Sequence, residues 1–323
     1  MLTYEQYRAL VEEGIKSLRF PAEPAGLTDP IKYALDCGGK RLRPVLTLAT
    51  ASALDCEPSV ALKPALAVEI YHNFTLLHDD VMDHADLRRG KPTVHCKWNE
   101  ATAILSGDAM LTYASMVLAS DAAAAPERFV AMNALFNQTA MDVYRGQQYD
   151  MDFETRTDVT ESEYIEMIRL KTSVLLGCAC KMGALVAGAS EADAEAFWRY
   201  GEKLGLAFQL RDDYLDTYGD VELFGKEVGG DILNDKKTWL SVMAMASPAG
   251  TSIKSLFGNV LPPAEKIERV RALYDAAGLP ERIRTLIDHY SAEAEAALDG
   301  LRLTDEARGF FKRLTRSLCS RVV

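Results

Sequence analysis

The sequence lacks most of the features that would take it out of the ordinary globular class. Its 323 residues contain no run near the roughly 18 uninterrupted apolar residues of a membrane helix, and Met1 to Leu10 shows no basic flank before an apolar block. A soluble, cytoplasmic protein without a membrane span is expected. There is no basic excess: 47 acidic against 36 basic residues leave a formal charge of −11, too acidic for an unaided nucleic-acid surface. The six cysteines, Cys37, Cys56, Cys96, Cys178, Cys180 and Cys319, are scattered and form no C-x-x-C pair, so neither a disulfide framework nor a zinc site is indicated. Cys178-Ala179-Cys180 reads as small residues at a helix contact. A hydrophobic fraction of 48% with 26% charged residues excludes a mainly disordered chain.

Proline is missing from residues 127 to 247, which leaves room for several long uninterrupted helices. Tyr164, Ile168, Leu175 and Leu176 recur there at helical spacing, as do Phe197, Tyr200, Leu204, Phe208 and Tyr214. Val68, Tyr71, Phe74, Leu77 and Val81 form an earlier stripe of the same kind. Strand-like alternation is scarce. The fold class is therefore all-α. Loop signals at Pro21 to Pro30, Gly90 to Pro92, Gly219 to Gly230 and Ser247 to Pro263 are too short for interdomain linkers. One domain over 1–323 is expected, with a small C-terminal subregion from about residue 248.

One short pattern occurs twice. Asp79-Asp80-Val81-Met82-Asp83 and Asp212-Asp213-Tyr214-Leu215-Asp216 both read D-D-x-x-D. On a helix the outer pair lies at i and i+4, where like charges repel by about 0.2–0.5 kcal/mol, so something should compensate. Mg²⁺ does so naturally, because it is held by one or two carboxylates together with substrate phosphates. Two such clusters facing each other would clamp a diphosphate. Direct cationic donors stand nearby in sequence: Lys40, Arg41 and Arg43 in the first loop, Arg88 and Arg89, then Lys226, Lys236 and Lys237. Arginine forks suit phosphate oxygens, and lysine serves as a point charge.

These residues resemble the trans-isoprenyl diphosphate synthases, the head-to-tail polyprenyl chain-elongation enzymes. The blocks run in order: GGKRLRP at 38–44, LLHDDVMD at 76–83, RRGKPTVH at 88–95, GD at 107–108, GQQYD at 146–150, KTSVLL at 171–176, FQLRDDYLD at 208–216, GKEVGGDI at 225–232 and NDKKTWL at 234–240. The region after about 248 carries little of the resemblance. What it implies is an isoprenoid-synthase-type helical bundle around a central cavity, usually a homodimer. Such an enzyme uses Mg²⁺, three ions per site, to join isopentenyl diphosphate to an allylic diphosphate.

Carried over by the resemblance, Asp79, Asp83 and Asp212 would be metal ligands, with Asp80, Asp213 and Asp216 supporting them directly or through water. Lys40, Arg43, His72 and Arg89 would hold isopentenyl diphosphate. Arg88, Lys171, Lys226 and Lys236 would hold the allylic diphosphate, and Thr172 and Gln209 would stabilise the reacting carbon. Metal ions and basic groups would stabilise charge on the departing diphosphate, and the π bond of isopentenyl diphosphate would attack the resulting allylic cation. His78, His84, His95 and His289 carry no assigned role.

Tyr71 and Thr75 lie eight and four residues before Asp79, about 12 and 6 Å down the helix axis on nearly its own face, and Phe74 adjoins them. The resemblance makes an aromatic here a floor that limits product length, and the pattern resembles enzymes that stop at geranylgeranyl diphosphate. Farnesyl diphosphate and longer polyprenyl products are the alternatives. A class I terpene cyclase would need neither the 38–43 loop nor the second D-D-x-x-D. A non-catalytic prenyltransferase subunit typically loses an Asp cluster, and both are complete here.

Overall fold

The structure is a computed structural model and describes residues 1–120, 123, 125–219 and 228–319. Its elements are α1 Tyr4–Ser17, α2 Ala25–Asp36, α3 Leu42–Ala53, α4 Pro58–Met82, a small hairpin of β1 Leu87–Arg88 and β2 Lys91–Pro92, α5 Val94–Lys97, α6 Glu100–Ala119, α7 Pro126–Thr155 and α8 Glu161–Ile168. A π-helical turn, Arg169–Ser173, leads into α9 Val174–Val186 and α10 Glu191–Tyr218. Beyond these come α11 Gly230–Leu233, α12 Trp239–Met245, α13 Gly250–Leu256, α14 Pro263–Ala276, α15 Leu279–Ala297 and α16 Asp305–Cys319. The all-α expectation holds, and the long α7, α9 and α10 occupy the proline-free stretch. The chain forms two compact units, 1–137 with 178–197, and 138–177 with 198 onward.

In the first unit α4 is buried on most of its circumference, as expected of a helix whose apolar residues do not keep to one stripe. It packs against α3 and α6. Ala65, Val68, Ile70 and Tyr71 are almost fully enclosed, so the last turns of this helix enter the site from a rigid base. The Thr47 hydroxyl donates to the Ala179 carbonyl at 2.9 Å, fixing α3 on the Cys178-Ala179-Cys180 segment, whose two thiols are buried and unbridged. Small residues at a helix contact is what that motif is.

Helix α6 is, among the described residues, long and apolar enough by length and composition to cross a bilayer, with a mean hydropathy of 1.3 over its best window. Thr102, Ser106 and Asp108 interrupt the run, which is why an uninterrupted apolar stretch is not seen in the sequence. Its buried side rests on α4, while Ile104, Leu105 and Met116 are exposed.

In the second unit α8 begins at a reciprocal cap: the Thr160 hydroxyl accepts from the Glu163 N–H, and the Glu163 carboxylate accepts from the Thr160 N–H. The cap sets the helix that carries Tyr164. Thr238 starts α12 with the same device, its partner being Ser241, and so sets Trp239. Tyr200 of α10 is buried, its hydroxyl donating to the Phe311 carbonyl at 3.2 Å and its ring meeting Phe311 edge-on, which secures α16.

The π turn breaks the stripe from Tyr164 to Leu176 into two helices. It also passes close to α10 at Gly205: a Cβ there would lie 2.7 Å from the Ser173 Cβ and 2.8 Å from its Oγ. Gly205→Ala should therefore lower stability by about 1–3 kcal/mol, the usual range for overpacking a tight contact. Urea unfolding of variant and parent side by side measures this, and equal midpoints would refute the close approach.

Candidate active site

Successive residues on a helix point about 100° apart, so two adjacent aspartates cannot share a direction. At the first cluster Asp80 turns inward and is 5% exposed, Asp79 is half-buried, and Asp83, the residue that ends α4, is exposed. A buried carboxylate needs a partner. The chain supplies one eight residues on, where Arg88 brings both its Nε and its second terminal nitrogen to one oxygen of Asp80 at 2.7 Å. Arg88, expected to hold the allylic diphosphate, is thus engaged with the Asp cluster itself.

The turn between β1 and β2 has Arg89 at φ 53° and Gly90 at φ 75°, the two left-handed residues of a tight hairpin. It points Arg89 away from Arg88, and the Arg89 guanidinium donates to the Gly38 carbonyl. That guanidinium lies so close to Gly39 that any Cβ at Gly39, itself at φ 129°, would fall 2.7 Å from its central carbon. Gly39 is therefore glycine because Arg89 lies against it, and Gly38 supplies the carbonyl that Arg89 meets. This contact was not readable from the sequence.

Arg41 differs from the sequence-based expectation of a phosphate donor. Its side chain is 1% exposed and turned into the protein, donating to Glu12 at 2.9 Å, to Glu69 at 2.8 Å and to the Leu35 carbonyl at 2.6 Å. A buried guanidinium demands acceptors on every side, and a surface role is closed to it. Arg43, two residues on, lies 3.0 Å from His72 Nε2 through one terminal nitrogen, while its buried Nε has no hydrogen-bond partner. Burial, with the neighbouring Arg89 charge, brings the Arg43 guanidinium down to about 10. Burial and the charges of Arg43 and Arg89 hold His72 well below its usual 6.5, so it stays neutral. Arg43, His72 and Arg89 are thereby brought together, with Lys40 exposed beside Gly39. An orphaned buried donor within a cluster of positive charge is a place for an anion.

Below Asp79 on α4, Tyr71 is 1% and Phe74 6% exposed, their ring centroids 5.5 Å apart. Phe136 meets Tyr71 at 5.3 Å and completes an aromatic layer; only its position in α7 reveals it. Thr75 turns its hydroxyl back onto the His72 carbonyl at 2.8 Å.

The second unit repeats the division of labour within its cluster. Asp213 is 3% exposed and accepts from the Tyr164 hydroxyl at 2.5 Å, the Trp239 N–H at 3.0 Å and Gln209 Nε2 at 3.2 Å. Burial nevertheless pushes its carboxyl up to about 7. Asp212 is exposed. Asp216 is half-buried, one of its oxygens accepting the Asp231 N–H at 2.9 Å. Gln209 in turn accepts from the Thr172 hydroxyl at 3.1 Å, so a chain of hydrogen bonds joins the π turn to the cluster. Lys171 on that turn sits 2.6 Å from Asp150, and it can approach α7 only because residue 146 is glycine: a Cβ there would collide with the Leu170–Lys171 backbone. A π turn at such a place is common where side chains must be re-aimed. Lys236 is exposed, next to α12 in sequence, and Lys226 lies outside the described residues. Tyr164, Asp150 and Trp239 were not foreseen as site residues, although the last two lie inside the GQQYD and NDKKTWL blocks.

Among the described residues, no three His, Cys, Asp or Glu groups are close enough to hold an ion by protein atoms alone. In each unit the accessible donors are carboxylate oxygens, Asp79 and Asp83 in the first and Asp212 in the second, while the buried Asp80 and Asp213 are tied to the protein. That set suits Mg²⁺, which keeps its waters and completes its shell with phosphate.

The depressed His72 has a consequence for stability. Above about pH 6.5 the imidazole is neutral whether folded or unfolded; below it the unfolded chain takes a proton that the folded chain refuses, so stability is lost as pH falls. His72→Gln should remove that loss, flattening stability between pH 7 and 5 by about 1 kcal/mol per pH unit. Urea midpoints across that range decide it, and parallel curves would mean that His72 charges freely.

Known proteins share this sequence and fold. The polyprenyl synthetase family model matches residues 24–277. A geranylgeranyl diphosphate synthase of Methanosarcina mazei is 41% identical over 293 residues, 90% of this chain and 89% of that one. A geranylfarnesyl diphosphate synthase of Natronomonas pharaonis is 35% identical over 288 residues, 84% of each chain. The crystal structure of a geranylgeranyl pyrophosphate synthase superposes with a TM-score of 0.95 at 45% identity and covers 99% of both chains. Agreement of this extent, over the very blocks that build the two acidic clusters, is agreement in descent: the chain belongs to the polyprenyl synthetase family.

Proposed function

We propose that this prenyltransferase condenses isopentenyl diphosphate head-to-tail with an allylic diphosphate in a magnesium-dependent reaction, that geranylgeranyl diphosphate is its product, and that residues 1–323 work as one synthase domain. The observation that carries the reading is the cationic pair Arg43 and Arg89 gathered at the neutral His72, in the same unit as the first Asp cluster. A second diphosphate site is what separates a chain-elongating synthase from a cyclase, and the unpartnered Arg43 Nε gives it a donor.

In this reading Asp79, Asp83 and Asp212 hold magnesium against the allylic diphosphate, with Asp216 assisting through its position and Asp80 and Asp213 anchoring the clusters. Bound magnesium supplies Lewis-acid stabilisation of the leaving diphosphate. Lys171, Lys226, Lys236 and Arg88 add fixed positive charge on that group. Lys40, Arg43, His72 and Arg89 hold isopentenyl diphosphate so that its double bond meets the allylic carbon at close range. Thr172 and Gln209 direct oxygen dipoles toward the developing cation, and the enclosing apolar side chains exclude water that would quench it. No protein nucleophile is required.

Tyr71 and Phe74, backed by Phe136, close the path of the growing tail, with Thr75 leaving room beside them. The reading also includes a cytoplasmic homodimer. Support for the pairing comes from Ile104, Leu105 and Met116, 44%, 60% and 59% exposed on α6, an apolar set on one helix that a second copy would cover.

Purified protein given isopentenyl diphosphate, Mg²⁺ and either dimethylallyl or farnesyl diphosphate should yield a twenty-carbon diphosphate by mass spectrometry, lost on chelation. Asp79→Ala and Asp212→Ala should each lower kcat by at least about 10³-fold while the fold is kept; normal Mg²⁺-dependent turnover in either variant sinks the metal assignment. A cyclised hydrocarbon, or no condensation with either primer, would reject the synthase reading. Phe74→Ala should lengthen the product by one or more five-carbon units, and an unchanged product would make Phe74 plain core.

A further inference from the structure

The loop 38–43 follows a backbone path that does not hold itself. Gly38, Gly39 and Arg41 all have positive φ, at 74°, 129° and 53°. For arginine the left-handed region is unfavourable by about 1–2 kcal/mol, so surrounding contacts must impose it. Two of those contacts come from α1. The Tyr4 hydroxyl donates to the Lys40 carbonyl at 2.5 Å, and Glu12, two turns along the same helix, accepts from Arg41 Nε at 2.9 Å. On its far side Arg41 is fastened to Glu69 of α4, which also accepts from Asn73 at 3.0 Å. Arg41 is therefore a bolt between α1 and α4, with Lys40 and Arg43 on either side of it in the chain.

The electrostatics agree with this role. Glu69 offsets the repulsion within the positive cluster, favouring the charged forms of Arg41, Arg43 and Arg89. The segment that matches the family model starts at residue 24, so the helix that carries Tyr4 and Glu12 lies ahead of it.

We infer that Tyr4 and Glu12 of the first helix are positioning residues for isopentenyl diphosphate, acting through the Lys40 carbonyl and the Arg41 side chain to hold Lys40 and Arg43 where that diphosphate binds. The inference rests on the proposed function, in which Lys40, Arg43, His72 and Arg89 take this substrate. Its signature is selective. Loss of either contact loosens the loop without touching the allylic substrate or the chemistry.

The test compares Tyr4→Phe, Glu12→Gln and Lys40→Ala with the parent protein. Steady-state kinetics give kcat and both KM values, calorimetry in EDTA gives the Kd of isopentenyl diphosphate without metal, and Tm reports the fold. For Tyr4→Phe and Glu12→Gln the KM and Kd for isopentenyl diphosphate should rise together by roughly threefold to tenfold, with kcat and the allylic KM within about twofold of the parent, the scale of one hydrogen bond lost in the first variant and of one charge-assisted bond weakened in the second. Lys40→Ala should weaken the same Kd more. If Lys40→Ala weakens it and the two α1 variants leave it unchanged, or lower Tm alone, the positioning role is overturned. Equal shifts in both KM values overturn it too. If Lys40→Ala leaves the Kd unchanged, the diphosphate assignment itself fails, and the inference with it.

Discussion

Everything in the site depends on how adjacent aspartates on a helix are kept apart. In each D-D-x-x-D segment the second carboxylate points inward, where an unpaired charge is not tolerated, and each has been given its own partners. Asp80 has the Arg88 guanidinium; Asp213 has a phenol, a backbone amide and a carboxamide. With the inner carboxylate fixed, the outer ones are held in a defined direction. The two solutions differ chemically. A full positive charge meets Asp80, whereas neutral donors meet Asp213, and burial there favours the protonated form.

The same logic extends outward from each cluster. Arg88 is available to Asp80 because the chain reverses at the end of α4, where His84 takes a left-handed φ of 50° and the Ala85 N–H donates to the Asp80 carbonyl. Tyr164 and Trp239 are available to Asp213 because both begin or follow capped helix starts, at Thr160 and Thr238. Local rules of capping and turn formation thus determine where the partners of a buried charge stand. The first-loop arginines illustrate the alternative outcome: Arg41 goes inward to carboxylates and Arg43 remains with a donor unused.

Much of this could be read in advance, for physical reasons. The absence of proline over 127 to 247 and the 3.6-residue stripes establish helices, and the repeated acidic pattern marks two special turns. Tyr71 and Phe74 follow from counting back along one helix. What could not be read depends on tertiary approach. The π turn at Arg169–Ser173 adds a residue to a helical turn without any sequence signal, and it decides where Lys171 and Thr172 stand. Gly39, Gly146 and Gly205 are glycine because another chain segment comes within van der Waals distance, which only the folded chain reveals. Arg41 looks like its neighbours Lys40 and Arg43 in sequence, and its inward direction is set by Glu12 and Glu69, on two other helices.

The small hairpin of β1 and β2 lies at the surface, where loops ordinarily accept insertions and deletions. This one is differently constrained. Arg88 and Arg89 are neighbours that go different ways, one to Asp80 and the other to Gly38, because Arg88 ends strand β1 whereas Arg89 is the first left-handed residue of the turn. Adding or removing one residue ahead of them would take Arg88 off the end of its strand and Arg89 out of the turn, and so break both contacts in a single step. The length of this exposed segment is thus tied to two contacts at once, one on the helix end and one on the first loop.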